Sequence, residues 1–189
     1  MTTTQKVYVM LGNESLWEVA AHCHEVLSQA NFAHSICGGA AVCLHGYHRN
    51  TTDVDLIIRP AVRNEVRDLL ESVGCRWDAE RKKLVSPNGF AIQFLFSGDK
   101  AGRGSEVAIS DPEGDLNVEV IKGLSVVRLS RLIEMKIACG MANQRRTHKD
   151  FADVVELIAV RKLDGSFARY LHKSLRSTYR ELVRNASHD

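Results

Sequence analysis

The stretch Ile36-Cys37-Gly38-Gly39-Ala40-Ala41, followed by Arg49-Asn50-Thr51-Thr52-Asp53-Val54-Asp55-Leu56, decides how this chain is read. The first part has the pattern of a strand turning through glycine into a helix. The second is a strand that carries two aspartates one residue apart. In an extended strand, side chains at i and i+2 point to the same face, so Asp53 and Asp55 project together. Two carboxylates on one face repel unless a cation lies between them. Mg²⁺ or Mn²⁺ suits that arrangement, because hard cations bind nucleotide phosphates through one or two carboxylates while keeping several waters. The glycine turn is the complement. Without Cβ atoms, the backbone at Gly38 and Gly39 can approach a phosphate at the positive end of the following helix.

Glycine turn and aspartate pair, in this order, resemble the signature of the nucleotidyltransferase-fold superfamily, on Gly38, Gly39, Asp53 and Asp55. Arg49 and Thr52, just ahead of the pair, are similar to the basic and hydroxyl residues of its AbiEii-type branch. A second segment, Leu132 to Ala138 followed by Arg145-Arg146-Thr147-His148-Lys149-Asp150-Phe151-Ala152-Asp153, looks like the K…R-x-K-D-x-x-D run of the same branch. The resemblance spans roughly Ala33 to Ile158. It implies that Asp53 and Asp55 are catalytic metal ligands and that Lys136 and Asp150 are catalytic. It further implies that Gly38, Gly39, Arg49, Thr52 and Lys149 bind substrate or phosphate. The spacing of Asp150 and Asp153 is i,i+3, which makes them neighbours on a helix.

The superfamily usually adds a third acid on a neighbouring strand. In Phe90-Ala91-Ile92-Gln93-Phe94-Leu95-Phe96 its position falls on Gln93. A glutamine carbonyl can ligate a metal, but it has no charge and cannot serve as a general base near neutral pH. Glu119 is the other candidate for the third metal ligand, if its strand lies beside that of Asp53. Asp111 and Asp115 sit among turn residues and read as loop formers.

Along the chain, Lys6 to Leu11 reads as a strand or lead-in. Ser15 to Gln29 reads as an amphipathic helix through Leu16, Val19, Ala20, Cys23, Val26 and Leu27. Strands are expected at 33–37, 53–58, 76–78, 83–85, 91–96, 118–121 and 125–127. Short helices are expected at 40–46 and from Pro60 to about Val73. Ser97 to Gly114 reads as a long loop over the cleft. From Ser130 the pattern turns helical over 130–141, 147–161 and 166–184, with Ser130 and Ser166 as N-caps. The fold class is therefore α/β (α+β), a mixed sheet flanked by helices. Residues 1–129 form its core, and 130–189 a helical part packed on that core or continuous with it.

Composition narrows the class further. The 189 residues are 44% hydrophobic and 25% charged with a formal charge of +2, which is ordinary for a soluble domain. Five cysteines, an odd number without C-x-x-C spacing, point to reduced thiols and a cytoplasmic location. No stretch approaches the roughly 18–20 apolar residues of a membrane span. His22-Cys23-His24 lacks a second ligand cluster and reads as structural. His45 and His48 read as capping or surface residues, and Trp17 and Trp77 as packing residues. The basic face of the last helix reads as solvated, with RNA contact as the alternative.

Together these features lead to a metal-dependent nucleotidyltransferase that moves an NMP from an NTP to a hydroxyl of RNA, protein or a small molecule. A toxin-like role with an antitoxin partner is one subclass. The alternatives are a degenerate nucleotide-binding or regulatory protein, which Gln93 favours, and a small-molecule adenylyltransferase.

Overall fold

A computed structural model describes residues 14–186; the expected lead-in at Lys6 to Leu11 lies outside them. Helix α1 (Glu14–Gln29) keeps the expected periodicity, burying Leu16, Val19, Ala20, Cys23 and Leu27 against the sheet. Strand β1 (His34–Cys37), helix α2 (Gly38–Leu44) and strand β2 (Asp53–Ile58) follow. From Gly39 to Leu44 every residue of α2 is buried, which suits its run of small side chains. Pro60 opens a 3₁₀ turn into α3 (Arg63–Ser72), whose Val66 and Leu70 face inward.

Strands β3 (Arg76–Asp78), β4 (Lys83–Val85), β5 (Ala91–Phe96), β6 (Val118–Ile121) and β7 (Leu124–Val127) complete one sheet of order β3-β4-β5-β2-β1-β7-β6. The sheet is mixed: β1 runs antiparallel to β2 but parallel to β7, and β2 runs parallel to β5. Ile36, Val54, Leu56, Ile57 and Ile58 are fully buried, so the two strands that carry the opening motif are also the centre of the core. The β6–β7 hairpin turns on Lys122 and Gly123, with φ of 53° and 83°. Positive φ at both positions matches the turn that a twisted two-residue hairpin requires.

Residues 97–114, a loop by their sequence, are cross-linked in the structure. Gly98 N donates to Ile109 O (2.9 Å), Ile109 N to Asp99 O (2.8 Å) and Ala101 N to Val107 O (2.9 Å). Arg59 holds the far end through Asp111 at 2.9 and 2.8 Å and through Glu113. Gly102 lies flat on the next helix, where a Cβ would collide with the Ala138 carbonyl. Cys139 Sγ donates to Ala101 O at 2.7 Å. This segment thus covers one face of the sheet, the position expected of the loop, with backbone cross-links that side-chain patterning does not reveal.

Three helices follow, α4 (Leu129–Ala142), α5 (Gln144–Val160) and α6 (Arg176–Ala186). Two of the expected boundaries need correction. Arg128, not Ser130, occupies the N-cap of α4, and the first N–H, that of Leu129, is taken by Glu119 Oε1 at 3.2 Å. The expected helix over 166–184 is broken into two 3₁₀ turns, Gly165–Tyr170 and Lys173–Leu175, before α6. Asp164 caps the first turn, and the break at Leu171-His172 is tertiary: buried Glu134 accepts the His172 N–H at 2.5 Å while Leu171 O takes Arg176 Nε at 2.9 Å. Among the described residues no helix is long and apolar enough to cross a membrane.

Candidate active site

The antiparallel register of β1 and β2 sets Cys37 opposite Asp55, so the turn that leaves β1 begins beside the aspartate strand. Gly38 has φ +61°, in the left-handed region, and a Cβ there would run into the Asp55 carboxylate. At Gly39 a Cβ would meet Thr51 Oγ1 at 2.5 Å and the Arg49 guanidinium at 3.1 Å. Gly38 is therefore required by close approach of the backbone to the acidic strand, and Gly39 by the segment that leads into it, whatever they bind.

Along β2, Val54 and Leu56 are buried while Asp53 and Asp55 face the other way. Both carboxylates open into a cavity of about 340 Å³, also lined by Gly38, Gly39, Thr51 and Gln93. Burial, and then the neighbouring Asp53 charge, push the Asp55 carboxyl up to about 6. Lys136, Arg146 and Lys149 pull in the opposite direction. The side chains thus crowd negative charge at one point of the cavity and arrange positive charge around it.

In the parallel pairing of β2 with β5, Gln93 stands across from Asp55, on the same face and exposed. Glu119 does not share this site. It lies on the edge strand β6, three strands from β2 in the sheet order, about 14 Å at ordinary strand spacing, and it caps α4. Glu119 as a third metal ligand is thereby corrected. Among the described residues no group of three or more His, Cys, Asp or Glu side chains could hold a metal ion.

The second motif builds the opposite wall. Lys136, 5% exposed, places Nζ 2.9 Å from Asp150 Oδ1 and 2.7 Å from Asp153 Oδ2. Asp153 also receives Arg49 through Nε at 2.6 Å and an outer nitrogen at 2.9 Å. Asp150, fully buried, accepts Arg146 Nε at 3.0 Å. Arg49, Asp153, Lys136, Asp150 and Arg146 thus form one continuous chain of ion pairs. It ties the segment before β2 to α4 and α5. Arg49, expected to meet phosphate, and Lys136, expected to be catalytic, have their charges answered within the protein. Asp150, expected to be catalytic, has both oxygens engaged.

Thr52, expected to bind phosphate, is exposed and absent from the cavity lining, where Thr51 stands instead. Thr51 Oγ1 donates to Asp53 Oδ1 at 3.3 Å. Strand parity carries that information: Thr51, Asp53 and Asp55 are each two residues apart and share a face, and Thr52 does not. Lys149 is exposed on the cavity and, among the described residues, has no ion-pair partner. Lys100 and Arg146 also line it. The folded 97–114 segment delivers Lys100, and no local sequence signal would have found it. Leu95, Ile109, Leu132 and Met135 form an apolar side of the same cavity.

No family model matches the chain, and no curated protein matches it. Solved structures do resemble it. The crystal structure of ANT(2″)-Ia in complex with adenylyl-2″-tobramycin superposes with a TM-score of 0.56 at 15% identity, covering 87% of this chain and 96% of that one. An antigenic nucleotidyltransferase-like protein from Paracoccidioides brasiliensis gives 0.53 at 22% identity, covering 89% and 87%. The solution structure of the antibiotic-resistance factor ANT(2″)-Ia gives 0.51 at 16% identity, covering 100% of both. At such identities the likeness is one of fold. The mixed sheet with its flanking helices is a nucleotidyltransferase-like fold.

Proposed function

We propose that this chain is a metal-dependent nucleotidyltransferase that moves an NMP from an NTP to a hydroxyl acceptor. The observation that carries the reading is the placement of Asp53 and Asp55 together in a cavity bordered by the Gly38-Gly39 backbone and by cationic side chains. Crowded carboxylates, one raised to about 6 by burial and by the other, are a donor set that one divalent cation satisfies. Asp53 and Asp55 would hold Mg²⁺ or Mn²⁺, with the Gln93 carbonyl as a neutral third donor. The bound ion would supply charge neutralisation at the reacting phosphate.

The remaining work is positioning and electrostatics, which account for most of such catalysis. Lys149, Lys100 and Arg146 face the cavity and would neutralise the outer phosphates. Thr51 orients Asp53 by its hydrogen bond. Lys136 acts at one remove: held by Asp150 and Asp153, it keeps positive potential beside Asp55. Asp150 is accordingly a positioning residue. Leu95, Ile109, Leu132 and Met135 would pack against the flat, apolar part of the nucleotide or acceptor.

The fold likeness to ANT(2″)-Ia supports a small-molecule acceptor as one form of this reading, with RNA and protein as the others. Incubation with each labelled NTP, Mg²⁺ or Mn²⁺ and pools of the three acceptor classes tests it. Label should appear in one pool and fall about a thousandfold in Asp53→Ala and Asp55→Ala. The toxin-like form, with an antitoxin partner, predicts growth arrest on induction that Asp53→Ala abolishes. A second reading, a nucleotide-binding protein without turnover, is favoured by Gln93 alone. It predicts metal-dependent NTP binding with no labelled product.

A further inference from the structure

The N-terminal end of α4 opens into a second cavity, of about 450 Å³, lined among others by Arg128, Arg131, Arg161, Phe167 and Tyr170. Among the described residues the Arg128 and Arg161 side chains make no hydrogen bond or ion pair. Arg131 reaches Glu134 at 2.7 Å through one outer nitrogen, but its Nε is buried without an acceptor. The acid in the lining, Glu119, already accepts from Leu129 N. No acidic side chain lies in the first turn of this 14-residue helix, and with Glu119 already on its first N–H the phosphate donors left at this opening are the guanidinium groups. Phe167 and Tyr170 stand edge to face at 5.4 Å, and Tyr170 is 54% exposed.

We propose that this cavity is a second phosphate-binding site that takes a nucleotide, free or within a single strand, with phosphate on the arginines and the base against Tyr170. Guanidinium donors match phosphate oxygens, and Tyr170, half-exposed at the same opening with the Arg169 guanidinium over its ring at 4.7 Å, supplies the aromatic surface. Helix α4 links the two cavities, since Leu129 to Arg131 line this one and Leu132, Met135 and Lys136 the other. The site stands independently of the transfer reading, because nothing in it calls for a metal.

Binding measured in EDTA tests it, since there the aspartate cavity lacks its ion. Labelled ATP and a labelled single-stranded oligoribonucleotide are each titrated with the full chain, and the tighter ligand identifies the source. Arg128→Ala/Arg161→Ala should weaken binding at least tenfold. It should also lower the salt slope for the strand by about 1.4, two contacts at roughly 0.7 each. Tyr170→Ala should weaken binding about fivefold or more, and Arg184→Ala, an exposed charge elsewhere, should leave it unchanged. Unchanged melting curves establish that the variants are folded. The proposal is overturned if wild type binds neither ligand, if the double variant binds as wild type does, or if Arg184→Ala weakens binding as much. Pyrophosphate binding as tightly as ATP, with Tyr170→Ala silent, also overturns the assignment to nucleotides.

Discussion

Gln93 stands directly across from Asp55 in the parallel pairing of β5 with β2, so a neutral amide faces one of two crowded carboxylates from the neighbouring strand. Replacing it with a carboxylate adds a charged donor without changing length. Gln93→Glu should therefore tighten Mn²⁺ binding by about tenfold, the scale on which metal affinity responds to changes around a site. Titration calorimetry of both proteins at neutral pH measures this. Equal affinity would remove Gln93 from the neighbourhood of the ion.

The glycines of the opening motif are under different constraints. Gly38→Ala incurs both positive φ, about 1–2 kcal/mol, and a collision with Asp55. Gly104, with φ +75° and open space where a Cβ would stand, faces only the first. In urea unfolding Gly38→Ala should lose more stability than Gly104→Ala, and it alone should weaken metal binding. Equal losses with metal binding intact would refute the close approach to Asp55.

The buried ion-pair chain predicts asymmetric mutational effects. Asp153→Ala leaves both Arg49 and Lys136 short of a carboxylate, which for buried pairs costs about 3–5 kcal/mol. Cutting Arg59 from Asp111 and Glu113, where the groups are largely exposed, should cost no more than about 1 kcal/mol. Denaturant unfolding of Asp153→Ala and Arg59→Ala compares them, and similar midpoints would contradict the burial argument.

Much of this site was legible because strand parity and glycine geometry are local. Asp53 and Asp55 alternate with Val54 and Leu56, and periodicity alone assigns their faces; the same parity applied two residues earlier selects Thr51. Partners set by long-range pairing were not legible in that way. Lys136 reads as a catalytic lysine until the packing of α4 on α5 brings Asp150 and Asp153 to it. Glu119 reads as a metal ligand until the order of the sheet places it on the far edge. The break between Tyr170 and Arg176 depends on Glu134, 38 residues from His172, so an amphipathic pattern there resembles an unbroken helix.

Three buried or half-buried histidines and Asp55 bear on the pH dependence of stability in opposite directions. His34, buried, donates from Nδ1 to Phe32 O at 2.8 Å, and its Nε2 lies 2.8 Å from His24 Nδ1, which also takes the Ser125 N–H at 3.5 Å. Burial holds His24, His34 and His45 below the ordinary value of 6.5. With folded values lowered, the unfolded chain binds more protons as pH falls past 6.5, so stability is lost on acidification. Asp55 acts with the opposite sign: raised to about 6 from 3.8, it takes up its proton first in the folded state and favours folding as pH falls through that window. Urea unfolding between about pH 7 and 5 should therefore show a shallower loss in His34→Gln and a steeper one in Asp55→Asn than in wild type. Identical slopes in all three proteins would show that neither group titrates differently on folding.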